Sequence, residues 1–112
     1  MFDFKWSDSE KKVARRAYER GLEARHKRFV TEFKERAAAA TTPADVWEIE
    51  GFLREQRRDI EVVFDYRYSQ LPLGFAGMII RGLIDETALN GLGEEKLKTI
   101  REIVHTARRA ES

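Results

Sequence analysis

The chain is 112 residues long, enough for one domain that folds alone around a modest core. It contains no cysteine, which excludes disulfides and thiol chemistry, and its 21 basic and 20 acidic residues leave a net charge of +1. With 37% of residues charged yet nearly balanced, bulk electrostatic binding of nucleic acid or of an anionic membrane is not expected, and any binding must use local, shaped surfaces.

The opening "MFDFKWSDSEKK" lacks the positive-then-apolar order of a secretion signal, and the longest near-apolar run, "LPLGFAGMII", is about half a membrane span. A soluble, cytoplasmic protein without membrane insertion is expected. Ser7-Asp8-Ser9-Glu10 is an S-x-x-E capping box, and from it to Thr42 there is no proline and a single glycine, Gly21. The spacing predicts one long helix, with an apolar stripe through Ala14, Ala17, Tyr18, Leu22, Phe29, Val30 and Phe33 and with charged residues on its other faces. His26 falls on that stripe and is expected to be a packed or hydrogen-bonded interior histidine.

Thr42 is placed to cap a second helix, with Pro43 at its first position and Asp45 in its first turn. That helix is expected to run to about Ser69 and to be broken by Pro72 and Gly74 in "QLPLG". Beyond it the texture changes. "FAGMIIRGLI" reads as a short apolar helix, "DETAL" as a further turn of helix, and "NGLG" as a tight connection into "EEKLKTIREIVHTARRA". Ser112 and its neighbours are expected to fray. The pattern predicts an all-α fold, with residues 1–70 forming two long antiparallel helical arms and residues 71–112 a compact helical head. Arms of about 45 Å cannot cover two apolar faces alone, so self-association through the arms into a homodimer is expected.

At about 100° per residue, Val46, Ile49, Leu53, Ile60, Val63 and Phe64 share one side of the second helix, which is assigned to the intrachain core. Trp47 projects elsewhere, with Arg54 and Arg58, beside Glu50 and Gly51, and Arg57 flanks the core side. Tryptophan and arginine are the residue types that most often dominate binding energy. Gly51 costs about 1 kcal/mol relative to alanine inside a helix, which makes sense where another backbone or bulky group comes close.

No catalytic constellation is visible, so neither an enzyme nor a cofactor is expected. His26 and His105 lie far apart, and neither has a histidine three or four residues away, so no two-histidine metal site exists on one helix. His105 reads as a solvated helix-end residue. The pairs Asp85-Glu86 and Glu94-Glu95 fall where helices begin and suit the positive end of the helix dipole. "LNGLGEEKLKTI" has the form of a hairpin that binds DNA phosphate through its turn amides, but Glu94 and Glu95 would repel a phosphate there, so a structural hairpin is expected and no nucleic acid. Tyr66, Tyr68, Arg67 and Arg81 are assigned to packing between arm and head.

Taken together, Ala17, Tyr18 and Arg20, then Trp47, Phe52, Leu53 and Arg57, then Asp65, Arg67 and Ser69, Phe75 and Ala76, and Gly91, Leu92, Lys96, Lys98, Thr99 and Ile100 keep a shared spacing that resembles the fluorescence recovery protein family. The match is gap-free from Trp47 to Ile100 and looser before Thr42. The resemblance implies an all-helical, non-enzymatic dimer that binds the photoactivated orange carotenoid protein, chiefly its C-terminal domain. Such proteins speed their partner's return to the resting orange form and so end quenching of the cyanobacterial phycobilisome. It also implies a dimer and partner surface at Trp47, Glu50, Gly51, Arg54, Arg57 and Arg58, and a partner contact on the head at Leu73, Phe75 and Lys98. Glu50 stands where the family has histidine, Gly51 where it has aspartate, and Leu73 where it tends to show an aromatic residue. These departures mark a divergent member and leave a second reading, a helical dimeric adaptor of the same fold with an unrelated partner.

Overall fold

The computed structural model describes residues 2–111, and among these the chain is helical with no strand. The expected fraying of Ser112 lies outside the described residues. Helix α1 spans Asp8–Ala39, α2 Pro43–Val63, α3 Leu71–Ile80 and α4 Glu94–Glu111, with a 3₁₀ turn at Glu86–Leu89 between the last two.

Both capping boxes form. The Ser7 hydroxyl accepts from the Glu10 amide at 3.1 Å and the Glu10 carboxylate accepts from the Ser7 amide at 3.0 Å, while Thr42 and Asp45 reciprocate in the same way at the start of α2. Helix α1 ends in the alanine tract, with Ala40 as its C-cap. The second arm is shorter than its sequence suggests. It stops at Val63, because residues 64–67 leave the helix and Pro72 lies in the first turn of α3 instead of breaking α2. A proline there gives up an amide that would be unbonded in any case and brings a helical φ already set, so it starts a helix as readily as it ends one.

The core lies at the head end. Leu71, Phe75 and Met78 of α3 and Ile100 and Val104 of α4 pack with Leu89 and Leu92 of the connection, and Ala14 and Ala17 of α1 and Val63 of α2 close over them. Small side chains on α1 let it lie close to the head, so its first half serves as a wall of the core while its second half runs out beside α2. Gly74 fixes how close α3 comes to the end of α2. A Cβ at that position would sit 2.9 Å from the Val63 carbonyl oxygen.

The hairpin arm is thinner. Phe29 stacks on Phe52 at 6.2 Å and the Arg36 guanidinium lies 4.2 Å from the Phe52 ring, so Phe52 is the buried anchor of α2. Val46, assigned to the core side, is instead 52% exposed, because α1 presents nothing to cover it near the hairpin loop. Val30 and Phe33 are also exposed on α1. His26 is exposed rather than interior, and the inward position one residue earlier belongs to Arg25, which is 5% exposed. His105 is exposed on α4. No described helix is long and apolar enough to cross a membrane.

Candidate interaction surface

Trp47, Gly51, Arg54, Arg58 and Val62 are spaced by four, three, four and four residues, which sets them in one stripe along α2. Trp47 is 67% exposed and Val62 72% exposed, so most of each side chain is left open by the chain itself. A Cβ added at Gly51 would meet nothing within 4 Å, so no group of this chain explains the glycine. At the head of the stripe, Trp47 and Val46 border a shallow depression with Thr41, Thr42 and Pro43 from the hairpin loop. Glu50, Arg54, Arg57 and Arg58 are exposed, and no ion pair within the described residues engages them. The stripe therefore combines an apolar anchor, a bare backbone position and unpaired cations, the composition from which binding hot spots are built.

The head residues separate. Leu73 is 43% exposed on α3 and Lys98 is exposed on α4, so both are open to a partner. Phe75 is 0% exposed, a correction to its assignment as a contact residue. It fills the core between α3 and its neighbours, so it acts on any surface only by holding the head together. No hydrogen bond or ion pair among the described residues joins Leu73 or Lys98 to the α2 stripe.

Two polar clusters hold these surfaces in place, and the sequence reading named neither. In the first, Arg25 of α1 donates to Gln56 and, at 3.2 Å, to Asp59 Oδ2, both on α2. Asp59 Oδ1 accepts from Arg81 at 2.8 Å, and Arg28 donates to the Arg81 carbonyl at 2.9 Å. Burial pushes the Asp59 carboxyl upward, but hydrogen bonds and charge from Arg81 and Arg25 outweigh it and hold it below its ordinary value. The clamp fixes the two arms against the end of α3. Arg25 follows Gly21 by four residues, on the face of Ala14 and Ala17, so helical periodicity carried the signal for its burial.

The second cluster joins the beginning of the chain to the start of α4. Glu10 Oε2 accepts from the Gly93 amide at 2.8 Å and lies 3.0 Å from Lys96 Nζ, which also donates to the Lys5 carbonyl at 2.7 Å. Lys96 is 6% exposed, and its ammonium sits 5.0 Å from the Trp6 ring centroid. The Ser7 amide above all, then the Gly93 amide and Lys96, prevail over the upward push of burial and hold Glu10 at about 2. The glycine-turn amide at the start of α4, which a DNA-binding hairpin would offer to a phosphate, is thus occupied by the chain's own carboxylate. Tyr66 and Tyr68 likewise serve packing: Tyr18 meets Tyr66 edge-on at 4.7 Å, Tyr66 meets Tyr68 at 5.8 Å, and the Tyr18 hydroxyl donates to the Phe64 carbonyl at 3.0 Å. Arg67 pairs with Asp65, two residues away. No group of three or more metal-ligating residues occurs among the described residues.

Comparison with known proteins agrees with this arrangement. Residues 6–104 match the family described as photoprotection regulator fluorescence recovery protein. A fluorescence recovery protein from Synechocystis sp. is 28% identical over 102 residues, covering 88% of this chain and 90% of that protein. The structure of the Fremyella diplosiphon fluorescence recovery protein superimposes with a TM-score of 0.86 at 30% identity, over 90% of this chain and 99% of that one. The Synechocystis sp. structure shares the fold at a TM-score of 0.85 and 23% identity, with the same coverage. A match that takes in both arms, the α2 stripe and most of the head, on a fold shared along nearly the whole chain, means that this chain belongs to the fluorescence recovery protein family of photoprotection regulators.

Proposed function

We propose that the protein is a non-enzymatic cytoplasmic regulator that binds an orange-carotenoid-protein-like photoprotein at its C-terminal domain and promotes its return to the resting orange state. The observation that carries this reading is the family match across residues 6–104, which includes both the α2 stripe and the head positions Leu73 and Lys98. The exposed Trp47 and the unpaired arginines beside it supply an anchor and charge for a protein partner. A binder of this kind acts by preferring one conformer, and it can shift its partner's equilibrium only by the difference in its affinity for the two states. In this reading the working form is a homodimer joined through the arms.

The test is to mix the purified protein with photoactivated orange carotenoid protein and time red-to-orange recovery in the dark. A faster recovery is expected. An unchanged rate, with no co-elution in either state, removes the proposal. One observation favours a second reading, an adaptor of the same fold with an unrelated partner: Glu50 and Gly51 stand on the exposed surface where the resemblance places histidine and aspartate. If Glu50→His with Gly51→Asp confers a recovery activity that the native chain lacks, the adaptor reading gains and the first one fails.

A further inference from the structure

The first half of α1 carries a basic face, apart from the α2 stripe, that the fold engages only at one margin, where Lys11 and Arg15 meet tyrosine rings. Lys11 and Arg15 are four residues apart, as are Lys12 and Arg16, and Arg20 continues the second row. Each row therefore repeats at about 6 Å along the helix. All five are exposed, and among the described residues none forms an ion pair. The acids nearby cancel them only in part. Glu10 is held by Lys96 and two backbone amides and Asp65 is paired with Arg67, whereas Asp85 feels the charge of Arg20, and Asp8, Glu19 and Glu23 bound the face along the helix, so the uninterrupted cations are Lys11, Lys12, Arg15 and Arg16.

The face is shaped as well as charged. On one side, Arg16 and Arg20 border a cleft of about 240 Å³ whose far wall is Thr87, Ala88 and Asn90. On the other side, Tyr66 and Tyr68 rise from the segment between α2 and α3. The Arg15 guanidinium lies 4.1 Å from the Tyr66 ring centroid and the Lys11 ammonium 5.6 Å from that of Tyr68. Those rings are engaged by cations and by each other, edge to face, so they offer poor platforms for stacking a nucleic-acid base. Nor is there a wide apolar floor here for an amphipathic helix to bury itself in. What remains is two rows of cations at helical spacing, complementary to carboxylates repeating every four residues on another helix.

We propose that this face of α1 is a docking site for an acidic helical segment of a partner protein, separate from the α2 stripe and independent of whether that partner carries a carotenoid. Contact of this kind is polar, governs encounter and orientation more than dwell time, and weakens with salt.

The probe is a fluorescein-labelled helical peptide with glutamates at every fourth position, titrated by anisotropy at low and at physiological salt. Saturable binding that weakens with salt is expected, and Lys12→Glu with Arg16→Glu should weaken it by about tenfold or more. Lys27→Glu with Lys34→Glu, an equal charge change in the second half of α1, should leave it unchanged. If the first double variant loses its helical circular dichroism, Lys12→Gln with Arg16→Gln tests the same rows with less repulsion. Equal weakening by the two double reversals, or tighter binding of a single-stranded oligonucleotide than of the peptide, overturns the proposal.

Discussion

Glu10 shows how much one carboxylate can do. It closes the capping box of α1, accepts the Gly93 amide and faces the buried ammonium of Lys96, so it fastens the beginning of the chain to the beginning of α4. Its folded value of about 2 lies below the ordinary carboxyl value of 4.5. A depressed carboxyl contributes its stability fully above the unfolded value and loses it as pH falls through the folded one, so this contribution fades between about pH 4.5 and 2. Glu10→Gln should cost about 2 kcal/mol at neutral pH, since it leaves Lys96 buried beside a neutral amide. It should also flatten the fall in urea stability over that acid range. A variant whose stability still drops as steeply there as the parent's would show that other carboxylates carry the acid response. The capping box was legible from Ser7 and Glu10 alone, because it is a rule about residues three apart. The bonds to Gly93 and Lys96 were not, because helical spacing says nothing about a partner more than eighty residues away.

At the scale of elements, the starts of α1 and α2, the 3₁₀ turn and the whole of α4 follow from caps, periodicity and turn residues. The boundary between α2 and α3 does not, since a proline followed by a glycine reads equally as a stop or as a first turn. Tertiary packing decides it: Gly74 lets α3 begin against the carbonyl of Val63, and the chain must leave α2 before it. Gly74→Ala should therefore cost about 1–3 kcal/mol in chemical denaturation, although alanine is the better helix former, because a backbone oxygen cannot yield as a side chain would. A neutral or stabilising result would show that the two helices can slide apart. The stripe drawn through Leu22 and Phe29 named His26 as inward, whereas the buried line runs through Ala14, Ala17, Gly21 and Arg25, where a charged residue hid the periodic signal. Asp59 makes Arg25 tolerable there and reaches Arg81 at the end of α3, so three elements meet on one carboxylate. Asp59→Ala should cost about 3 kcal/mol by leaving the Arg25 guanidinium uncompensated, a loss that appears in thermal melts. Arg25→Met in the same background should recover part of it, because it removes the orphaned charge and keeps the volume.

The molecule as a whole is elongated, 52 × 32 × 23 Å, with a radius of gyration of 16.5 Å against about 13 Å for a compact chain of this length. That shape places a well-packed core at one end and leaves Val30, Phe33, Val46, Trp47 and Val62 bare on the arms. Single exposed apolar residues need no explanation, but this set shares a slender hairpin that also carries unpaired arginines and a glycine with open space over it. A second copy is the partner proposed for the arms, and light scattering at micromolar concentration should give twice the chain mass of 13.1 kDa. Trp47→Ala should weaken that association by about thirtyfold, the effect of losing a hot spot of about 2 kcal/mol. Because Trp47 contributes little to packing within one chain, the variant should keep its helical circular dichroism and show its defect only as a shift of the mass toward 13.1 kDa on dilution. A parent that already scatters as a single chain would remove the arm-mediated dimer. A variant that stays dimeric at the parent's affinity would keep the dimer and move its interface off the α2 stripe, leaving Trp47 free to anchor the regulatory partner instead.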